Sequence, residues 1–261
     1  MTNDFAGQKV LLTGAASGMG LSTARLLKNL GAELMLWDIN GAALEATARE
    51  LKAQSCVVDV CDKDAVLSAM EQSVAALGGT LNLVIHFPGV MPTGMFDKLA
   101  LDAHKRTIDI NLWGSTVVAY TALPYLKKSK GGLVFLGSVS ASYGGPEFAL
   151  YGATKAAILS LAQALRIELE DDGVYVAVVN PHFVNTPLID ENARQTRFMR
   201  AKSLFVEVST PEHVARTILE GIRKREFMIW PSWRPSLVFH LSRYGHFISH
   251  LLMRDTWRGV K

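Results

Sequence analysis

Short runs of apolar residues alternate along the chain with longer stretches whose apolar positions recur every three to four residues. The short runs predict strands buried on both faces, and the periodic stretches predict helices that pack over them. This alternation predicts an α/β fold, a doubly wound parallel sheet of about seven strands with helices on both faces. The first six predicted strands are residues 9–13, 33–38, 55–58, 81–86, 132–138 and 174–180. The first predicted helix ends near residue 30, and the others span 41–51, 64–77, about 102–127 and 151 to about 170.

The first predicted strand leads into a glycine-rich loop, Gly14-Ala-Ala-Ser-Gly18-Met-Gly20, and then into a helix. Strand, glycine loop and helix in this order are the context that a dinucleotide site requires. Glycines allow close approach of the backbone to a pyrophosphate, and the helix N-terminus adds free N–H groups and a positive dipole end. The loop therefore predicts a nucleotide-phosphate site.

Asp38 ends the second predicted strand, eighteen residues beyond Gly20. An acidic side chain at this position is suited to bind the ribose hydroxyls of an adenosine. Asp38 would repel a 2′-phosphate, and its neighbours Ile39, Asn40 and Ser17 carry no positive charge that could offset this repulsion. The sequence therefore favours NAD(H) over NADP(H). The alternative is that Asp38 only caps the following helix.

The candidate catalytic chemistry lies between Ser138 and Lys155. Tyr151 and Lys155 are four residues apart, so on a helix they project from the same face. A tyrosine has an ordinary pKa of about 10, and a cation one turn away is expected to lower that pKa toward the range useful for acid–base work. Ser138 ends an apolar run, which places its hydroxyl at the carboxyl edge of the sheet, where open α/β folds bind ligands. The alternative is a chance pairing of Tyr and Lys.

Composition limits the classes of protein that the chain can belong to. With 261 residues, 49% of them hydrophobic, it is large and apolar enough for one ordered domain. Cys56 and Cys61 predict neither a disulfide framework nor a metal site, and with no signal-peptide pattern at the start we expect a cytoplasmic protein. The net charge of +3 is uneven, because the residues from Arg223 onward contribute +6 and the others −3. We therefore expect no nucleic-acid surface on the main body.

Together with further motifs, these residues resemble the classical short-chain dehydrogenase/reductase (SDR) family. The resemblance covers about residues 8–230 and implies a single Rossmann-type catalytic domain over residues 1–230. It also implies a substrate-lid insertion at about 187–208, a homo-oligomer (dimer or tetramer) and an oxidoreductase that acts on CH–OH groups with NAD (NADH). The motifs are T-G-A-A-S-G-M-G at 13–20, Asp59-Val60, Asn111, Ser138, Tyr151 with Lys155, and N-P-H-F-V-N-T at 180–186.

The resemblance implies a role for each catalytic residue. Tyr151 would transfer the proton at the substrate oxygen, and Ser138 would hydrogen-bond that oxygen. Lys155 would lower the Tyr151 pKa and hold the nicotinamide ribose, while Asn111 would hold a water and Thr186 would touch the nicotinamide amide. The implied cofactor-binding residues are Gly14, Ser17, Gly18, Met19, Gly20, Asp38, Asp59, Val60, Gly89, Tyr151, Lys155, Pro181, Val184 and Thr186. Asp59 would bind the adenine amino group or cap the helix near Asp62.

Two positions depart from the family pattern. His86-Phe-Pro-Gly89 stands where N-N-A-G is usual, so the contact by which the family's Asn braces the loop and sheet must be replaced or lost. Pro181-His182 replaces the usual Pro-Gly, which narrows the space near the nicotinamide. The His182 side chain either contacts a substrate oxygen or points outward with no role.

The segments that the family resemblance assigns to the substrate are apolar, which predicts a lipophilic secondary alcohol or ketone. Relatives with C-terminal extensions imply, by analogy, a lipid-, steroid- or retinoid-like compound. Flexible methionines suit such a substrate, although the same residues would also suit the protein's own core. The predicted substrate contacts are Ser138, Tyr151, His182, Met91 and Phe148, and the predicted walls are Met91, Met95, Phe96, Leu188, Ile189, Phe198, Met199, Leu204 and Phe205. One alternative is a 3-oxoacyl-thioester reductase, which Asp38 disfavours because such reductases generally use NADPH. The other is a non-catalytic nucleotide-binding sensor or scaffold, which the complete catalytic set disfavours.

Residues 231–261 form a basic C-terminal extension with an apolar stripe at helical spacing. Basic residues near the opposite side and tryptophans at 230, 233 and 257 are typical of a helix that lies in a membrane interface. Arg243 and His246 interrupt the run well before the roughly 20 apolar residues that a spanning helix needs. Packing between subunits and closure over the active site are the alternatives. The stripe consists of Leu237, Leu241, Tyr244, Ile248, Leu251 and Leu252.

Overall fold

One parallel sheet organises the protein. The computed structural model describes residues 4–188, 194, 196, 208–245 and 254. The strands are β1 (Lys9–Thr13), β2 (Glu33–Asp38), β3 (Gln54–Val57), β4 (Leu83–His86), β5 (Gly132–Leu136), β6 (Tyr175–Val179), β7 (Phe183–Val184), β8 (Val208–Ser209) and β9 (Met228–Ile229). In this part of the chain seven strands form a parallel sheet in the order β3-β2-β1-β4-β5-β6-β9, and β7 pairs with β8. The predicted fold class is confirmed.

Helices cover the two faces of the sheet. They are α1 (Gly18–Asn29), α2 (Gly41–Leu51), α3 (Lys63–Ala76), α4 (Leu101–Ile108), α5 (Ser115–Ser129), α6 (Ala149–Glu168), α7 (Pro211–Arg223) and α8 (Trp233–Tyr244). Asn40, Asp62 and Thr210 accept hydrogen bonds from first-turn N–H groups of α2, α3 and α7, which fixes where these helices begin. In the described chain, no helix is long and apolar enough to cross a membrane.

Alternate residues of the central strands pack on opposite faces of the sheet. Val10 and Leu12 of β1 pack with Leu27 of α1, whereas Leu11 packs in a second cluster with Ile158 of α6. Because both faces are covered, β1, β4, β5 and β6 are buried along almost their whole length. This double burial is the physical reason for the short continuous apolar runs in the sequence.

The helical stretch predicted over about 102–127 contains a change of helix type. A π-helical segment, Asp109–Gly114, separates α4 from α5. A π segment inserts an extra residue into the helical turn, and such bulges are common at functional sites. Asn111 lies inside this segment and is fully buried. The predicted helical stretch is therefore confirmed, and the π segment within it, which was not predicted, contains Asn111.

Strand β5 is shorter than predicted. It ends at Leu136, and Gly137 then donates a hydrogen bond from its N–H to the Val179 carbonyl. The Ser138 hydroxyl accepts a hydrogen bond from the Ser140 N–H and caps a 3₁₀ turn, Val139–Ala141. Ser138 therefore lies just beyond the carboxyl end of the strand, at the sheet edge where it was expected.

Several predictions concern residues outside the described part of the chain. Most of the lid insertion at 187–208 and most of the extension after 245 lie there. The side chains of Arg243 and Tyr244 are outside it as well. The other residues concerned are Ile189, Phe198, Met199, Leu204, Phe205, His246, Ile248, Leu251, Leu252 and Trp257.

Candidate active site

A cavity of about 390 Å³ lies along the carboxyl ends of β1, β2 and β4. Within the sheet, β2 lies next to β1 on one side and β4 lies next to β1 on the other, so the strand order reverses at β1. Doubly wound sheets bind nucleotides at this reversal of strand order. The cavity is lined by most of the predicted cofactor residues: Gly14, Ser17, Gly18, Met19, Gly20, Asp38, Asp59, Val60, Gly89 and Thr186.

The loop between β1 and α1 packs too closely for side chains at its glycines. A Cβ on Gly20 would lie 1.9 Å from the carbonyl oxygen of Gly14, and Gly14 itself has a φ of +70°. Glycine adopts this left-handed conformation at little steric cost. The loop backbone and the N-terminus of α1 therefore border the cavity directly, which suits a pyrophosphate.

We expect Gly20→Ala to weaken NADH binding at least about a hundredfold, because the loop must shift to relieve the overlap with Gly14. A fluorescence titration with NADH measures the effect, and circular dichroism checks that the variant is folded. Gly144→Ala is the control, since an added Cβ there meets no atom within 4 Å. A folded Gly20→Ala protein with wild-type affinity for NADH would contradict this reading of the loop.

The Asp38 carboxylate is fixed at the cavity wall by two backbone groups. One oxygen accepts from the Ala16 N–H at 3.0 Å and the other from the Asn40 N–H at 3.0 Å. Asn40, and not Asp38, accepts from Ala43 and caps α2. The interpretation of Asp38 as a helix cap is therefore wrong, and its carboxylate borders the nucleotide cavity.

Asp59 also lines the nucleotide cavity. It accepts a hydrogen bond from the Cys61 N–H at 2.9 Å, whereas Asp62 caps α3, so the capping role proposed for Asp59 is wrong. Arg106 of α4 borders the same cavity. This arginine was not predicted, because a single exposed cation on a helix carries no signal of its own.

Ser138 and Tyr151 line a second cavity, referred to below as the reaction cavity. Its volume of about 40 Å³ is much smaller than that of the nucleotide cavity, and the two cavities share several wall residues. The shared walls are Met19, Leu136, Thr186 and Leu188. The reaction cavity also contains all the other predicted substrate contacts and two of the predicted cofactor residues: His182, Met91, Phe148, Pro181 and Val184.

Burial, and not the nearby lysine, dominates the acid–base chemistry of Tyr151. Burial raises the pKa of Tyr151 to about 12, and hydrogen bonding with Ser138 lowers it again only in part. Burial also lowers the pKa of Lys155 to about 7. The Lys155 Nζ lies 5.6 Å from the centroid of the Tyr151 ring. Burial therefore opposes the lowering of the Tyr151 pKa that was expected from Lys155, and that lowering stays a prediction.

Lys155 is held on the inner side of the reaction cavity. It is 2% exposed, it lines neither cavity, and its Nζ donates to the Leu136 carbonyl at 2.8 Å. Leu136 borders both cavities. A Cβ added to Gly89 would lie 3.6 Å from the Lys155 Nζ and 3.4 Å from the Asn111 Oδ1. Gly89, Asn111 and Lys155 thus meet behind the junction of the two cavities.

The Asn111 side chain joins three elements at this point. Its Oδ1 accepts from the Val90 N–H at 2.8 Å, and its Nδ2 donates to the Val90 carbonyl at 3.0 Å and to Thr154 Oγ1 at 3.1 Å. Thr154 immediately precedes Lys155 on α6. Asn111 therefore ties the loop after β4 to the helix that carries Tyr151 and Lys155. Its role in holding a water stays a prediction.

His86, at one of the positions that depart from the family pattern, links two strands of the sheet. Its Nδ1 lies 2.9 Å from Thr13 Oγ1, which links the ends of β4 and β1. The His86 Nε2 has no hydrogen-bond partner within the described residues. Burial, and secondarily the charge of Lys155, lowers the pKa of His86 to about 3. The neutral imidazole is therefore the form that the folded protein holds at neutral pH.

We expect His86→Asn to remove part of the acid sensitivity of the fold. The pKa of His86 falls from an ordinary value of about 6.5 to about 3 on folding. Its contribution to the free energy of unfolding is therefore complete above about pH 6.5 and declines as the pH falls toward 3. Between pH 7 and pH 5 the wild type should lose about 2 kcal/mol more free energy of unfolding than His86→Asn. Urea titrations at both pH values measure this difference, and equal losses in the two proteins would contradict it.

The structure corrects several predictions about the substrate walls. The His182 ring lines the reaction cavity, so the interpretation in which it points outward is wrong. Met95 and Phe96 are 50% and 62% exposed and line neither cavity, so they form no wall. Tyr143 was missed, although it lies within the segment from Ser138 to Lys155 and borders the reaction cavity.

A nicotinamide dinucleotide fits the residues that surround the two cavities. The glycine loop provides a backbone surface that any Cβ on Gly20 would obstruct, and Asp38 provides a carboxylate for the ribose. The nicotinamide end would then approach the shared walls at Met19 and Thr186, next to Tyr151. The bound group would supply hydride chemistry at this junction.

Comparisons with known proteins agree with this geometry. A family model described as short chain dehydrogenase matches residues 8–197. The chain is 34% identical over 202 residues to a 2-dehydro-3-deoxy-L-rhamnonate dehydrogenase (NAD(+)) of a Sphingomonas species, covering 76% of this chain and 81% of that protein. It is 31% identical over 238 residues to the 11-beta-hydroxysteroid dehydrogenase-like 2 of Arabidopsis thaliana, covering 88% of this chain and 75% of that protein.

A solved structure shares the fold over almost the whole chain. The crystal structure of a short chain dehydrogenase/reductase from Burkholderia phymatum in complex with NAD superposes with a TM-score of 0.82 at 22% identity, covering 95% of this chain and 96% of that one. The family model covers well over half of the chain. The protein therefore belongs to the short chain dehydrogenase family and is an oxidoreductase of that family.

Proposed function

We propose that the protein is an NAD(H)-dependent oxidoreductase that transfers a hydride between nicotinamide and a lipophilic secondary alcohol or ketone. The observation that carries this proposal is that Ser138 and Tyr151 share a cavity whose walls continue into the nucleotide cavity. A substrate oxygen at these two hydroxyls would place its carbon beside the nicotinamide. The complete set of Asn111, Ser138, Tyr151 and Lys155 supports an enzyme over a non-catalytic nucleotide-binding protein.

In the direction of ketone reduction, the Ser138 hydroxyl donates a hydrogen bond to the carbonyl oxygen and holds it in place. Tyr151 Oη donates its proton to that oxygen as negative charge develops there. Protonated Lys155, on the same face of α6, stabilises the phenolate that remains. In the direction of alcohol oxidation the phenolate removes the hydroxyl proton. Burial of these groups excludes water from the proton transfer.

Asp38 supports the preference for NAD(H). Its two oxygens are already oriented by Ala16 and Asn40 at the wall of the nucleotide cavity. A carboxylate there accepts hydrogen bonds from ribose hydroxyls and repels a 2′-phosphate. The name of the Sphingomonas relative, which specifies NAD(+), points in the same direction.

The walls of the reaction cavity support a lipophilic substrate. Its walls include the apolar residues Met91, Phe148, Phe183, Val184 and Leu188. The cavity has a volume of only about 40 Å³, so only a small part of the substrate would enter it. The hydroxysteroid named for the Arabidopsis relative is a large alicyclic alcohol, which fits the proposed class, although only one edge of such a molecule would enter.

The test is a panel of carbonyl compounds assayed by loss of NADH absorbance. The panel contains 2-alkanones of increasing length, cyclohexanone, a 3-ketosteroid and a 3-oxoacyl thioester. We expect turnover of the ketones with NADH, with kcat/KM rising with apolar area. Binding of NADH without turnover of any member would overturn the proposal, and turnover of the thioester alone would place the protein among 3-oxoacyl reductases.

We expect His182→Ala to widen the reaction cavity and change its selectivity. Because the imidazole occupies part of the wall where the family has glycine, its removal should raise kcat/KM for the 3-ketosteroid relative to the shortest 2-alkanone by about tenfold. The control is His240→Ala, since His240 is exposed on α8 and lines neither cavity. An unchanged ratio in His182→Ala would show that this wall does not select the substrate.

A further inference from the structure

One face of α8 presents apolar side chains to solvent. Trp233 is 70% exposed, and Leu237 and Leu241 are each 48% exposed. Their spacing of four residues places them along one side of the helix, and we refer to these three residues as the α8 stripe. The stripe includes the first two positions of the apolar pattern that the sequence showed in this segment.

The opposite face of α8 is anchored in the protein. Phe239 is 3% exposed and Ser242 is 2% exposed, and the Phe239 ring lies 5.2 Å from the ring of Trp230. The α8 helix also contacts the 3₁₀ turn that follows Ser138. Since the inner face is already satisfied by these contacts, the stripe is not needed to hold α8 in place. It lies on an element that adjoins the loop carrying Ser138.

The α8 sequence contains positive charge and no negative charge. Arg234 is exposed on this helix, and the helix sequence contains a second arginine, Arg243, and no Asp or Glu. Two copies of this segment would repel each other if their stripes paired. An anionic lipid surface would instead be attracted, by about 1 kcal/mol for each Lys or Arg near it.

We propose that the α8 stripe binds the surface of a membrane that contains anionic lipid. An amphipathic helix with exposed Trp and Leu and flanking cations lies in the plane of the interface, with the tryptophan at the level of the headgroups. Because α8 adjoins the Ser138 loop, this contact would bring the reaction cavity close to the bilayer. The membrane contact itself does not depend on which substrate the enzyme uses.

The test is co-sedimentation of the full-length protein with vesicles. One set is made of phosphatidylcholine, and in the other part of this lipid is replaced by phosphatidylglycerol. We expect binding to the anionic set only, weakened by added salt, and a loss of at least about tenfold in the partition coefficient for the double variant Leu237→Gln/Leu241→Gln. Leu67→Gln, an exposed leucine of α3 that is 39% accessible, is the matched control and should bind like the wild type.

Wild-type protein that stays in solution with anionic vesicles would overturn the proposal. Equal partitioning of the double variant and the wild type would also overturn it. Light scattering on both proteins tests the alternative that a second copy of the chain covers the stripe. If the wild type is an oligomer and the double variant is not, the stripe is a subunit interface and the membrane proposal is overturned. NADH oxidation with a water-soluble ketone should be unchanged in the double variant, so failure of the membrane proposal and failure of the proposed function remain distinguishable.

Discussion

Tyr151→Phe is expected to lower kcat for ketone reduction by about a thousandfold while NADH affinity stays within about twofold of the wild-type value. The substitution removes the phenol oxygen and keeps the ring, which is only 8% exposed and packs with Phe148. Only the proton transfer to the substrate oxygen is then lost. Single-turnover oxidation of NADH measures the chemical step, and a fluorescence titration measures NADH binding.

Tyr143→Phe is the matched control for this experiment. Tyr143 is a second tyrosine that borders the reaction cavity, and burial raises its pKa as well. Tyr143 lies in the loop before α6 and not on the helix that carries Lys155, so the loss of its hydroxyl should change kcat by less than about threefold. If Tyr151→Phe kept more than about a tenth of the wild-type kcat, another group would have to donate the proton.

Asp38→Ala is expected to lower kcat/KM for NADH about thirtyfold and to leave the value for NADPH unchanged or higher. A charge-assisted hydrogen bond contributes about 1.5–3 kcal/mol, and the carboxylate that would accept such bonds from the ribose is absent from the variant. The repulsion toward a 2′-phosphate disappears at the same time. Steady-state kinetics with both cofactors and one ketone measure the ratio.

The ratio is informative because Asp38 also accepts hydrogen bonds from Ala16 and Asn40, so a general loosening of the loop would affect both cofactors alike. Asn40→Ala serves as the control, since it removes the cap of α2 and costs about 1 kcal/mol of stability without changing the charge at the ribose. Equal use of NADH and NADPH by the wild-type protein would contradict the role assigned to Asp38.

The fold could be predicted because burial of apolar residues, its main stabilising force, produces a periodic pattern of apolar positions in the sequence. Strands such as β1 and β6 are buried on both faces, so nearly all of their inner positions are apolar. The predicted bounds of the first six strands lie within two residues of the observed ones. The π segment around Asn111 could not be predicted, because it depends on contacts with Val90 and Thr154 that are distant in sequence.

The positions of the site residues followed from motifs, but their electrostatics did not. Ser138 and Tyr151 meet as expected, because strand ends and the helix that follows them share one edge of the sheet. The pKa values of Tyr151 and Lys155 depend on how much solvent the surrounding fold removes, which spacing alone does not reveal. The same limit applies to His182, since only packing decides whether a side chain faces a cavity or solvent.

A crystal structure of the protein with NAD⁺ and the best ketone of the panel tests the central claim most directly. We expect the ketone oxygen within about 2.6–3.2 Å of both Tyr151 Oη and Ser138 Oγ. The carbonyl carbon of the ketone should lie about 3–3.5 Å from the nicotinamide carbon that exchanges the hydride. A ketone bound in contact with the nicotinamide but out of reach of Tyr151 would contradict the assignment of this phenol as the proton donor.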